Sequence, residues 1–352
     1  MSPRGDAVWF LALPFLATAI ALASQRWLSS IAVVAFSLWV TTPHHFATWL
    51  RAYGNREDRS RWSEPLVVGP LVIGLLTGAG ILWAPMSLLL VAWLWDHQHS
   101  IMQQYGFARI YDVKARTGGP GTARADLALG WVLYVNLLVV SPLYSDFWIR
   151  ELYRFGLPIG AAAIQTLQTT SAGLTALFLL AYLGQLARSM RQGQAANPIK
   201  YLFIGSSYFL WYCTAWWSQS VLVATIAHAI MHGVQYLVLT HTHLRRKGSA
   251  SGAFAAWLVA PRHVIAFLGA CLVYSIFVQW LAAQPLETFA FGAIGFATGL
   301  YPSIPELGKP GYTPERAREL LAALVIQGAP LVHYFLDSFI WKMRDDRIRE
   351  AL

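Results

Sequence analysis

Nine of the ten histidines in this chain fall into four short clusters. These are Thr42-Pro43-His44-His45, then Asp96-His97-Gln98-His99, then His228-Ala-Ile-Met-His232 continuing to His241-Thr242-His243, and finally His333-Tyr334-Phe335-Leu336-Asp337. The sharpest spacing is that of His228 and His232: residues i and i+4 project from one helical face and can chelate one ion. Gln235 extends the same stripe. His333 and Asp337 repeat the i, i+4 relation, so Asp337 reads either as an additional ligand or as an acceptor that orients the ring. Asp96 with His99, at i, i+3, reads the same way. Neighbours on a regular helix diverge by about 100°, so His44 is preferred as a first ligand and His45 is kept for a second site. By the same divergence His99 is preferred over His97. Imidazole with some carboxylate suits Fe, Zn, Cu or Ni rather than Mg or Ca, and donor types alone do not choose among them.

The elements that must carry these side chains are membrane spans. Apolar residues make up 56% of the 352 and charged residues 12%, half or less of the charged share of a soluble domain. The apolar stretches are continuous rather than alternating, which excludes a β-barrel in favour of helices. Read against breakers, they place spans near 7–24, 27–49, 65–83, 86–107, 127–143, 158–186, 199–218, 219–241, 263–283 and 319–341. The expected fold is therefore an all-α polytopic transmembrane bundle of about ten spans, with 1–352 as a single integral membrane domain.

The net charge of +9 does not indicate nucleic acid, because the cations sit in links between apolar runs. Twenty of the 26 cations fall at the N-terminus or in links after even-numbered spans, which makes that side cytoplasmic by the positive-inside rule. The expected location is a bacterial inner membrane, with the C-terminus inside. All four histidine clusters then lie on even-numbered spans pointing the same way. Counting about 1.5 Å per residue from the first cytoplasmic cation puts them between roughly 10 Å deep (His44) and roughly 26 Å deep (His228). His241 and His243 come out close to the surface as interfacial residues, and His263 reads as structural. A lone histidine in a span is often only hydrogen-bonded across helices; four clusters in one layer favour a shared metal.

Several features carry less chemistry. Cys213 and Cys271 form no metal-ligand spacing. Residues 7–24 read as a retained first helix, with a cleavable signal peptide as the lesser alternative. The segment 285–312 is apolar and Gly-rich and then Pro-rich. If it crossed, the basic tail would end outside, so it reads as a re-entrant or outer-surface segment. Gly118-Gly119-Pro120-Gly121 reads as a flexible cytoplasmic loop.

The four clusters, in this order, resemble the bacterial Brp/Blh-type carotene dioxygenases, membrane proteins that cleave β-carotene to retinal. Pro43-His44-His45 looks like the Pro-His-Gly element of that family, with His45 at the glycine and Thr48 where an aspartate often follows. His99 with Tyr105-Gly106-Phe107 is loosely similar to its His-Phe-Gly element. His228 to His232 matches its His-x-x-x-His helix, and His333 with Asp337-Ser338-Phe339-Ile340 resembles its last element. The resemblance implies an iron held by histidines from these elements that activates oxygen against a polyene. The repeated HxxHH elements of membrane desaturases are absent.

The expected function is thus a histidine-ligated metal oxidoreductase, most simply a non-haem iron oxygenase holding one or two Fe ions, with Zn and Cu as alternatives. Its expected partners are O2, a lipophilic substrate such as a carotenoid or other lipid, and the bilayer. Any electron donor must be external, because no dinucleotide, haem-attachment or ferredoxin-type motif is present. Tyr105, Tyr236 and Tyr334 are candidate contacts to substrate or intermediates, although tyrosines near span ends more often anchor the interface. Two alternatives stay open: a transporter in which the histidines pass metal ions or protons, and a b-type cytochrome, for which the histidines are too many.

Overall fold

A computed structural model of the protein describes residues 3–27, 35–218, 220–281 and 314–342. Among these residues the chain is all-α, with thirteen helices. They are α1 (3–27), α2 (35–53), α3 (Arg56–Arg61), α4 (Ser63–Trp83), α5 (Pro85–Ala115), α6 (Pro120–Val140), α7 (Pro142–Arg154), α8 (Ala161–Arg191), α9 (198–218), α10 (Val221–Lys247), α11 (Ala253–Leu258), α12 (Pro261–Leu281) and α13 (Pro314–Ile340). Seven of them, α1, α4, α6, α8, α10, α12 and α13, are long and apolar enough to cross a membrane. The protein is therefore a helical membrane protein. The other three expected spans coincide with α2, α5 and α9, which are helical but fall outside that group. The polar run Asp96 to Ser100 lowers the hydropathy of α5, α9 carries Lys200, Ser206 and Ser207, and α2 is described only from residue 35. The segment 285–312 and the basic residues beyond Lys342 lie outside the described residues.

The chain forms two compact units, which divide within α5 and within α10. The first comprises residues 1–3, 22–99 and 229–352. Here α2 is the buried centre: Thr42, Pro43, His44, His45, Ala47, Thr48, Leu50, Arg51 and Ala52 are all buried. A helix buried on every face is expected in a bundle core. Helices α12 and α13 pack against α2, and α13 also packs against α4. One apolar cluster joins Ala47 and Leu50 of α2 to Tyr236 and Leu244 of α10 and to Phe267 and Cys271 of α12. Another joins Ala52 to Leu66 and Ile73 of α4 and to Leu331, Leu336 and Phe339 of α13.

The C-terminal ends of α2, α10 and α13 are tied together by Asp58, whose carboxylate is buried. Its Oδ2 receives the guanidinium of Arg51 from α2 and the Nζ of Lys247, the last residue of α10, at 3.4 Å. It also accepts from Asn55 Nδ2 at 2.8 Å, while Asn55 Oδ1 caps α3 by accepting from Glu57 N at 2.9 Å. Arg51 Nη2 donates to the carbonyl of Ile340 at 3.3 Å, satisfying an acceptor that the end of α13 leaves open. The guanidinium also lies over the ring of Trp341, 5.3 Å from its centroid. Three helices that carry histidines are thus fixed in register at one end. On the flank, Gly233 of α10 allows close approach to α2: a Cβ there would lie 2.9 Å from the Val40 carbonyl and 3.4 Å from His44 Nδ1.

The second unit comprises residues 4–21 and 100–228. Its polar centre is Lys200, buried, with Nζ donating to Asp112 Oδ2 at 3.1 Å and to Asp126 Oδ2 at 3.0 Å. Tyr182 donates to Asp126 Oδ1 at 2.7 Å, and Arg109 donates to Asp112 Oδ2 at 2.6 Å. Of the expected loop Gly118–Gly121, Gly118 and Gly119 lie between helices, while Pro120 and Gly121 already open α6. The break between α5 and α6 is short, because Pro120 already starts α6 and Thr117 N donates to the Asp112 carbonyl at 2.9 Å. Gly118 takes φ 72°, where a side chain would strike the Asp112 carboxylate. A cleft of about 440 Å³ beside Lys200 is lined by Asp112, Tyr182, Asn197 and Tyr201, and by none of the histidines.

Candidate metal centre

The first unit gathers five imidazoles. His44 and His45 come from α2, His99 from α5, His232 from α10 and His333 from α13, and all are buried. On α2 the turn before them, Ser37–Thr41, is a π-helical widening. Pro43 follows it; proline has no N–H and its ring crowds the preceding turn, so a widened turn accommodates it within a continuous helix.

The ring of His44 lies 4.6 Å from that of His45, 4.7 Å from His232 and 4.6 Å from His333, centroid to centroid. The ring of His99 lies 5.1 Å from His232 and 4.9 Å from His333. His45 reaches His333 with its ring face, at 4.8 Å and 33° between planes. The angular divergence of consecutive residues therefore does not keep His45 out of the cluster. It does keep its nitrogens out of the donor groups, and neither has a hydrogen-bond partner among the described residues.

Two sets of donor atoms lie within 4.8 Å of one another: His44, His232 and His333, and His99, His333 and Asp337. The buried triad can hold a metal ion. His44 Nε2 and His333 Nε2 are 2.9 Å apart. Two nitrogens each about 2.05 Å from one ion are about 2.9 Å apart at a right angle and about 3.3 Å apart at the tetrahedral angle, so the separation fits ligands of one cation. Asp337 Oδ2 faces the same point, 3.6 Å from His99 Nε2 and 3.8 Å from His333 Nε2.

One helical turn beyond the histidines lies a second polar layer. Thr48 follows His44 by four residues, Tyr236 follows His232 by four, and Asp337 follows His333 by four, so each helix presents a ligand and then a supporting group on one face. Thr48 Oγ1 is 2.7 Å from His333 Nδ1 and donates to Tyr236 Oη at 2.6 Å. Tyr236 donates to Asp337 Oδ1 at 2.7 Å and accepts from Trp341 Nε1 at 3.1 Å.

The remaining sequence candidates are distributed around this centre. Tyr334 donates to Asp96 Oδ1 at 2.9 Å, and its ring stacks on His99 at 4.8 Å; Asp96 thus orients His99 through a tyrosine. Gln235 is buried beside Tyr236. His97 turns back on its own helix, donating from Nδ1 to the Trp93 carbonyl at 2.8 Å, and is in neither donor set. His228 belongs to the second unit, where its Nε2 is 2.5 Å from Ser100 Oγ and its ring is 4.8 Å from that of Trp211. Tyr105 is also in the second unit and half-buried. His243 is fully buried against Trp341, and His241 is partly buried against Phe267. His263 donates from Nδ1 to the Trp257 carbonyl at 2.7 Å, a structural role.

Sequence reading missed Thr48, Trp341 and the Asp58 tie as parts of the site. The spacing of Thr48, four residues after His44, was the available signal, but a hydroxyl is too common in spans for its part to be read without its partners. No protein-family profile, curated protein or solved structure matches the chain.

Proposed function

We propose that the protein is a membrane-embedded oxidoreductase in which a histidine-held ion, iron in this assignment, serves the oxidation by O2 of a lipophilic substrate such as a carotenoid or another lipid. The observation that carries the reading is the buried convergence of His44, His232 and His333 from three separate helices, with His99 and Asp337 against them. Imidazoles so far apart in sequence, brought within coordination distance inside a membrane protein, are costly to bury unless they share a partner. The set His99, His333 and Asp337 is two imidazoles and a carboxylate, the donor composition of non-haem Fe(II) oxygenases.

An iron ion held there would supply redox chemistry toward O2. The chain's own groups prepare the place. Tyr236 fixes Asp337 by donating to Oδ1, leaving Oδ2 turned toward the histidines. Tyr334 fixes the plane of His99 by stacking. Burial of all five rings excludes bulk water, and aromatic side chains such as Trp95, 6.0 Å from Tyr334, provide apolar walls.

The reading is tested with purified protein in lipid nanodiscs, loaded anaerobically with Fe(II). Oxygen uptake is expected only when a lipophilic substrate such as a carotenoid is present together with, where needed, a chemical reductant, and is expected to vanish in His232→Ala. Histidine-dependent ion flux in liposomes without oxygen uptake would replace this reading with transport, and a strong Soret band in the purified protein would replace it with haem.

A further inference from the structure

The polar layer beneath the histidines has a direction. Each hydroxyl has one proton to give. Tyr236 donates its proton to Asp337 Oδ1. Its oxygen can then only accept, as it does from Trp341 Nε1, which is solely a donor. The proton of Thr48 goes to Tyr236. Thr48 Oγ1 can therefore only accept in its 2.7 Å contact with His333, so His333 Nδ1 carries the hydrogen. A neutral imidazole protonated at Nδ1 keeps its lone pair on Nε2, the atom 2.9 Å from His44 Nε2.

We infer that Thr48 and Tyr236 are positioning residues that select the metal-binding tautomer of His333, and that the site consequently takes a single ion. The second part follows from the first. His333 is common to both donor sets, and with Nδ1 committed to Thr48 it has one lone pair, on Nε2. One lone pair binds one ion, so the two sets describe alternative or combined donors to one cation. Asp337 has a double part: Oδ1 terminates the relay and Oδ2 faces the ion. The relay reaches from α13 to α2 to α10 and back to α13, so the three helices that hold the triad also fix the orientation of its shared member.

The inference rests on the metal-site reading of the previous subsection, and the two can fail separately. Detergent-purified protein is titrated with Co(II), following the d–d absorption bands and the stoichiometry. The wild type is expected to bind one Co(II) per chain. Thr48→Val, which keeps the shape of the side chain and removes the hydroxyl, is expected to bind about 10- to 100-fold more weakly with altered bands. Thr48→Ser, which restores the acceptor, is expected to recover both, and Tyr236→Phe to behave like Thr48→Val. A Thr48→Val protein with wild-type affinity and spectrum would overturn the relay while leaving the metal site standing, and two tightly bound Co(II) ions per chain would overturn the single-ion conclusion. A wild type that binds no Co(II) would overturn the metal site and the relay together.

Discussion

His333→Ala is expected to abolish metal binding, while His228→Ala is expected to leave metal content near that of the wild type. The two substitutions remove the same chemical group from buried positions, so the contrast isolates geometry. His333 is the shared member of both donor sets and touches His44, His45, His99 and His232. Removing it takes a ligand from either set and breaks the link from Thr48. His228 is held in the second unit by Ser100 and Trp211. His232→Ala and His44→Ala are expected to follow His333→Ala, and His97→Ala to follow His228→Ala. Metal content after purification, measured by plasma mass spectrometry alongside a size-exclusion profile, checks the series. Equal loss in His228→Ala and His232→Ala would mean that the i, i+4 pair acts as one chelate, contrary to the arrangement described.

Asp58→Ala is expected to destabilise the protein by about 3 to 5 kcal/mol, because it leaves buried cations without their carboxylate. The side chains of Arg51 and Lys247 are 1% and 9% exposed, so water cannot replace Asp58 for Arg51 and does so poorly for Lys247. The same tie joins the ends of α2, α10 and α13, so a second effect is expected: weaker metal binding at a distance from the ion. Asp146→Ala provides the control. Asp146 pairs with Arg150 four residues along α7, and both are more than half exposed. Its removal is expected to cost less than about 1 kcal/mol. Thermal unfolding of the detergent-solubilised variants compares the two, and an Asp58→Ala protein as stable as Asp146→Ala would show that the tie does not hold the helices.

Which parts of this arrangement are legible in the sequence follows from how local they are. Helix type and the presence of spans depend on continuous apolar runs, so α4, α6, α8 and α12 can be read directly. Spans that carry the chemistry are harder to recognise: α5 is a single 31-residue helix whose polar stretch dilutes the hydropathy that would mark it. The clustering of histidines is legible as composition and depth. The selection among them is not, because it depends on which helical face meets which neighbour. His228 and His232 share a face, yet they fall in different units. His45, one residue from His44, nevertheless brings its ring against His333. Thr48 stands out in the sequence only by comparison with the family element; its part as a link between a histidine and a tyrosine 188 residues away needs the three-dimensional contacts.

Binding of a transition-metal ion by the buried imidazoles underlies every role assigned to the site. Its most direct test is elemental analysis of wild-type protein purified in detergent without chelators, beside the combined His44→Ala, His232→Ala and His333→Ala variant. One transition-metal ion per wild-type chain, iron in this assignment, and none in a variant that still purifies as a folded membrane protein is the predicted result. A folded wild-type protein that carries no transition metal and takes up none when Fe(II), Co(II) or Zn(II) is offered would contradict it.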